Sequence, residues 1–314
     1  MPSKEKVCVI VGPTAVGKTA LSVELAKQYN GEIISGDSLQ IYRGLDVGTA
    51  KATTEEQQGV PHHLLDICEL GDSYSVADFK ETARGLITEI TARGKLPIVV
   101  GGTGLYIQAL LFDFELGSAE GDVTNQALRD ELEEYAETYG TMQLWERLRS
   151  QDQAAADLIH PNNVRRVIRA IEVIEQTGIS MTAQPKVDFK DLSESCYDVK
   201  LIALESDRQA LYDRINNRIE SMLTNGLLAE AQQVYDFGPS QAAQGIGYKE
   251  FFPYFEGEQT LEEATEFAKQ QSRRYAKRQL TWFRNRMTCE WWDLTQSPET
   301  MVDLSNDVAT WLTN

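Results

Sequence analysis

Gly12-Pro13-Thr14-Ala15-Val16-Gly17-Lys18-Thr19 decides how the rest of the chain is read, because two glycines with four residues between them, followed by Lys and Thr, fit a phosphate-binding loop. The apolar run Val7, Cys8, Val9, Ile10, Val11 before it reads as a buried strand, and Ala20 to Tyr29 after it as a helix, with Leu21, Leu25 and Tyr29 at helical spacing. In such a strand-loop-helix unit the glycines let backbone N–H groups turn inward around phosphate oxygens, and the helix N-terminus adds a partial positive charge. Lys18 is placed to reach the terminal phosphates and the Thr19 hydroxyl to hold a magnesium ion. The loop does not say whether the phosphates belong to a nucleotide; a pyrophosphate on any other carrier fits equally well.

Gly31 breaks the helical pattern, and Glu32 to Ser35 reads as a strand ending in Gly36-Asp37-Ser38-Leu39-Gln40-Ile41-Tyr42. That puts a carboxylate at the carboxyl end of a strand, where ligands gather in open parallel sheets. Residues 43–68 read mostly as loop. A helix follows through Val76, Phe79, Ala83, Leu86, Ile87 and Ile90, and then a buried strand, Leu96 to Val100, runs into Gly101-Gly102-Thr103-Gly104 and a further helix from Leu105 to about Leu111. Strands alternating with helices imply an α/β fold with a doubly wound parallel sheet around the P-loop. Hydrolases of this loop class end the equivalent strand in an acidic residue that helps hold magnesium. Glycines stand there instead, and the guanine-reading Asn-Lys-x-Asp tetrapeptide is missing, which argues against a GTPase.

From residue 117 to residue 190 the strand signals vanish, which predicts an inserted all-helical domain between core segments 1–116 and 191–314. Its last helix is expected to start at His160-Pro161-Asn162 and stop at Thr177-Gly178, with Val164, Val167, Ile168, Ile171 and Ile174 on a core stripe and Arg165, Arg166 and Arg169 toward solvent. Those arginines fit either a solvated face or a phosphate-binding one. Val199 to Leu204 returns to the sheet, and Asp207 caps a helix carrying Arg208, Arg214 and Arg218. Gln244 to Glu250 is a second glycine-bearing turn, open to a ligand role or a plain interhelical one. Thr260 with Glu263 forms a capping box for a helix reaching about Met287. Its second half carries Arg273, Arg274, Lys277, Arg278, Arg284 and Arg286 with no acidic residue, and Tyr275, Trp282 and Phe283 interleave as core or as base-stacking groups. Glu290 to Leu294 reads as a last strand and Ser297 as the start of a capped helix.

A net charge of −18 over 314 residues argues against nucleic-acid or membrane binding through overall charge, so an anionic partner must find local basic patches. Cys8, Cys68, Cys196 and Cys289 are scattered without metal-type pairing, which suits a reduced, cytoplasmic protein. No apolar run approaches a bilayer span, and the segment Met1-Pro2-Ser3-Lys4 leads directly into a strand, so neither a membrane anchor nor a signal peptide is expected.

Taken together, these motifs resemble the bacterial tRNA dimethylallyltransferase (tRNA isopentenyltransferase) family over nearly the whole chain. The likeness rests on the phosphate loop, on Asp37 to Tyr42 with Asp46-Val47-Gly48-Thr49-Ala50-Lys51, and on Gly101 to Tyr106. It also rests on His160-Pro161-Asn162 with the arginines after it, and on Tyr275 to Gln279 with Thr281 to Arg284. The resemblance implies transfer of a dimethylallyl group from its diphosphate to the exocyclic amine of the adenosine 3′ of a tRNA anticodon, with Mg2+ as cofactor. By the same resemblance Asp37 is the catalytic base and Thr103 orients the amine. Gly12, Pro13, Thr14, Ala15, Val16, Gly17, Lys18 and Thr19 bind the diphosphate with Arg214 or Arg218, and Thr19 carries the metal. Contacts to tRNA are expected from Asp37, Ser38, Leu39, Gln40, Thr103, Arg129, Arg165, Arg166, Val167, Ile168, Arg169, Lys277 and Arg278, with the insertion gripping the anticodon stem-loop. Gly104 departs from relatives that often carry a larger apolar residue. A monomer is expected, and no Cys/His pattern suggests a zinc finger. The rival readings are an ATP-dependent P-loop small-molecule kinase and a non-enzymatic RNA-binding protein using the basic helix alone.

Overall fold

The computed structural model describes residues 4–114, 123–180, 182–183, 187–295 and 298–314. The expected boundary at residue 117, the residues Met1 to Ser3 and the expected helix start at Ser297 lie outside these. The chain forms two compact units, Met1–Phe112 with Asp188–Asn314, and Asp113–Val187.

The first unit is built on six parallel strands: β1 (Lys6–Val11), β2 (Gly31–Ser35), β3 (His62–His63), β4 (Leu96–Gly101), β5 (Asp198–Leu204) and β6 (Glu290–Trp292), in the order β3-β2-β4-β1-β5-β6. Strands covered on both faces have no solvent side, so β1 is apolar at every position from Val7 to Val11 and fully buried. Helices α1 (Lys18–Gln28), α2 (Thr54–Gln57), α3 (Val76–Ala92) and α4 (Gly104–Leu111) follow the early strands. Cys8 and Ile10 of β1 pack with Leu21 and Leu25 of α1 in one layer, and in that of α3 and α4 Phe79 stacks on Tyr106 at 4.3 Å. Because every strand runs the same way, the loops after β1, β2, β4 and β5 open on one edge of the sheet.

In the second unit α5 (Val123–Tyr139), α6 (Thr141–Gln151), α7 (Gln153–Leu158) and α8 (Val164–Thr177) bury Leu132, Leu144, Leu148, Val167, Ile168 and Ile171 together. It is all helical among the described residues. Back in the first unit, α9 (Arg208–Thr224), α10 (Leu227–Phe237), α11 (Phe252–Phe255) and α12 (Leu261–Arg286) link β5 to β6, and α13 (Pro298–Thr313) ends the chain.

Three local expectations need correction. Helix α1 begins at Lys18 rather than Ala20, since Gly17 takes the left-handed turn that starts it. Gly31 does not break a pattern but begins β2; a Cβ there would lie 2.9 Å from the Leu96 carbonyl oxygen, and Asn30, at φ 51°, makes the turn. The 43–68 stretch is mostly loop as expected, and within it lie the short α2, capped by a Thr53/Glu56 box, and β3, which pairs with Ile33 and Ile34. Pro161 precedes α8 rather than opening it: the Asn163 N–H donates to the His160 carbonyl in a turn, and Asn163 caps a helix that starts at Val164.

Candidate active site

A cavity of about 880 Å³ opens at the carboxyl edge of the sheet, entirely within the first unit. One wall is the phosphate loop, Thr14 to Ala20; another is the turn after β2, Asp37 to Gln40; the rest come from Gly48 to Ala50, Val100 to Gly102, α9, the Gln244 to Gly247 turn and α12. Positive φ at Gly12, Ala15 and Gly17 curls the loop into a cradle. Gly12 must be glycine on space as well, since a Cβ would stand 2.7 Å from the Leu204 carbonyl oxygen.

Lys18 folds back over this cradle, its ammonium donating to the carbonyls of Gly12 at 3.0 Å and Pro13 at 2.7 Å. Burial pulls its pKa down to about 8; the nearby Asp37 carboxylate opposes the shift and Arg218 adds to it. Arg218 reaches across from α9 to the Thr14 hydroxyl at 3.5 Å. Arg214, one helical turn earlier, has its Nε and Nη2 donors buried without a hydrogen-bond partner. A buried donor left in that state costs about 1–3 kcal/mol unless an acceptor answers it. Three cations therefore converge on one cavity, and none of the ion pairs among the described residues engages them.

Facing them, Asp37 sits in a turn whose Leu39 N–H donates to its Oδ1 at 2.9 Å. Its charge favours the charged forms of Lys18 and Arg218 and opposes ionisation of Tyr275. Gln40 spends its amide on structure: Ser35 donates to Oε1 at 2.9 Å and Nε2 donates to the Thr49 carbonyl at 3.2 Å. Thr103 leads into α4 with its Oγ1 buried and without a well-formed hydrogen bond, although it lies near enough to the Tyr275 hydroxyl to affect it. Burial raises the Tyr275 pKa, so that phenol stays protonated.

Gln279 of α12 is a site residue that the sequence named only within a motif. Its Oε1 accepts the Thr14 N–H at 3.0 Å and its Nε2 donates to the Gly102 carbonyl at 3.1 Å, tying the phosphate loop to the end of β4. A Cβ on Gly102 would fall 2.0 Å from that amide, and one on Gly101 would fall 2.3 Å from the Gly36 carbonyl oxygen. A side chain at Gly101 is blocked by backbone, and one at Gly102 would displace the Gln279 amide. Trp282 fills the space beside Gly104, where a Cβ would lie 2.2 Å from the indole, so the missing apolar side chain is replaced from α12. Phe283 is core, and Tyr275 is the interleaved aromatic that borders the cavity. Arg278 lies over its ring at 5.6 Å, and Lys277 and Arg278 are exposed.

On the helical unit, Arg165 and Arg166 are exposed, whereas Arg129 and Arg169 both pair with Glu172, a carboxylate 1 % exposed. Val167 and Ile168 were expected at tRNA; their side chains are buried in that unit's core and present no contact surface.

The IPP transferase family model matches residues 40–286. A tRNA dimethylallyltransferase of Enterococcus faecalis is 57% identical over 308 residues, 98% of each chain. Among solved structures, the full-length tRNA isopentenylpyrophosphate transferase of Bacillus halodurans is 49% identical, with a TM-score of 0.73 over 99% of this chain and 97% of that one. A eukaryotic dimethylallyltransferase caught acting on tRNA is 29% identical, with a TM-score of 0.78 over 98% of this chain and 80% of that one.

Proposed function

The chain belongs to the IPP transferase family, and from that premise we propose that it moves the dimethylallyl group of dimethylallyl diphosphate onto the exocyclic amine of the adenosine 3′ of a tRNA anticodon. The observation that carries this reading is a cationic cradle with no ion-pair partner among the described residues, formed by Lys18, Arg214 and Arg218, in a cavity that Asp37 also lines. The amine's lone pair forms the new bond to C1 of the prenyl group, the C1–O bond breaks, and its electron pair leaves on the diphosphate. Asp37 takes the proton that the amine sheds. Lys18, the loop N–H groups and the two arginines meet the charge that develops on the leaving oxygen. The orientation of the amine falls to Thr103, whose buried hydroxyl lies near that of Tyr275.

For magnesium the residues fit: the Thr19 hydroxyl lines the cavity, and no cluster of three or more His, Cys, Asp or Glu exists among the described residues. That suits a cation held by Thr19, substrate phosphates and water rather than by a protein cage. When bound, it neutralises charge on the departing diphosphate.

We assign the grip on the anticodon stem to the helical unit through Arg165 and Arg166, and the approach to the cavity to Lys277 and Arg278 on α12. Such a protein works where tRNA is, in the cytoplasm, and no described helix is long and apolar enough to cross a membrane. The kinase reading is not favoured, because the relatives are tRNA prenyltransferases by name. Incubation with dimethylallyl diphosphate, magnesium and unmodified tRNA, followed by mass analysis of the nucleosides, should give one prenylated adenosine. ATP turnover with a small alcohol and no modified RNA would reverse the conclusion.

The pKa of Lys18 gives this reading a pH signature. A lysine held at about 8 in the free protein is charged below that value and neutral above it. The diphosphate binds the charged form, so donor affinity is steady up to pH 8 and then weakens, by at most about tenfold per pH unit. Calorimetric titration of the donor between pH 6.5 and 9.5 reads it directly; a flat profile removes Lys18 from the binding step.

A further inference from the structure

We infer that Glu230 is a positioning residue that fixes the acceptor side of the cavity, an inference that rests on the prenyl-transfer reading and deepens it. Glu230 projects from α10 and is 8 % exposed. Four donors meet its carboxylate. The N–H groups of Asp46 and Val47 donate to Oε2 at 2.8 and 2.9 Å, and the Gly48 N–H and the Tyr248 hydroxyl donate to Oε1 at 2.8 and 2.5 Å. An ionised carboxylate has about four acceptor positions, so this one is fully used, and bonds to a charged acceptor are roughly twice as strong as neutral ones. Burial, reinforced by Glu230 itself, raises the Tyr248 pKa well above that of a free phenol, which keeps its proton in the bond.

The consequence lies one step further in. Gly48 and Thr49 form a wall of the cavity, and Gly48 rests so closely on Tyr248 that a Cβ would be 2.6 Å from the ring. The Thr49 carbonyl accepts from Gln40, which lies in the Asp37 turn. On the other side, Tyr248 ends the Gln244 to Gly247 turn, where Gly245 lies against Leu39, the residue whose N–H holds Asp37. Glu230 and Tyr248 thus join the two loops that grip the Asp37 turn from both flanks. The phosphate loop is tied elsewhere, through Gln279 and Arg218. Loosening the clamp misplaces the base relative to the amine and leaves the diphosphate cradle intact.

Glu230→Gln keeps the shape but sets an amide N–H against donors; Tyr248→Phe removes one donor of the four. Turnover is expected to fall about tenfold in the first and about threefold in the second, with the donor Kd unchanged within about twofold. The double variant should be no worse than Glu230→Gln alone, because both break one clamp. Hydrogen exchange should quicken at the amides of residues 37–50 and stay constant at residues 12–19. Exchange is read without tRNA or donor, so it judges the clamp even if the wild-type protein transfers no prenyl group, an outcome that would sink the reaction reading instead. Unchanged exchange at residues 37–50 overturns the inference, as does parallel loss of donor binding and turnover. If Glu230→Gln fails to fold, Tyr248→Phe alone decides by the same two measurements.

Discussion

Asp37→Asn is expected to lower the rate of prenyl transfer by about 10²- to 10⁴-fold while leaving both substrates bound. The asparagine carbonyl can still accept the Leu39 N–H, so the turn keeps its form. What disappears is the capacity to take a proton from an amine whose lone pair is delocalised into a purine ring, and the negative charge that steadies Lys18 and Arg218 in their charged states. Single-turnover mixing with saturating tRNA and donor separates the chemical step from binding. A variant that retains a tenth or more of the wild-type rate would mean that another group receives the proton.

Lys18→Met should have an effect of similar size through the opposite partner, reducing transfer by about 10²- to 10³-fold with donor binding weakened as well. Among the described residues the ammonium donates hydrogen bonds to the Gly12 and Pro13 carbonyls, so the loop backbone survives the change, and those carbonyls remain open to water. Since the charge on the leaving oxygen grows toward the transition state, turnover should suffer more than affinity. Comparing donor Kd with the single-turnover rate tests that ordering. Equal losses in both would make Lys18 a binding group only.

The phosphate loop was legible because its conformation is written in adjacent residues: glycines where φ turns positive, an apolar strand before and a helix after. The turn carrying Asp37 could be placed for the same reason, at the end of a buried strand. Gln279 could not, because its partners are Thr14 and Gly102, and only the packing of α12 brings them together. The one available hint was a polar residue on the buried face of an amphipathic helix, one turn after Tyr275 and level with Ser272 and Ala276. Glu230 gave even less warning, since its partners are backbone amides whose positions no side-chain pattern records. At α8 the periodicity already put Val167 and Ile168 on the core stripe, and burial decided their place over the neighbouring arginines.

The position of β1 also has a consequence for how the molecule is made. The strand that feeds the phosphate loop is flanked by β4 and β5, and Val7 finds its partner Val199 only after the whole helical insertion has left the ribosome. Until then one edge of a fully apolar, buried stretch has nothing to pair with, a state that invites association between nascent chains.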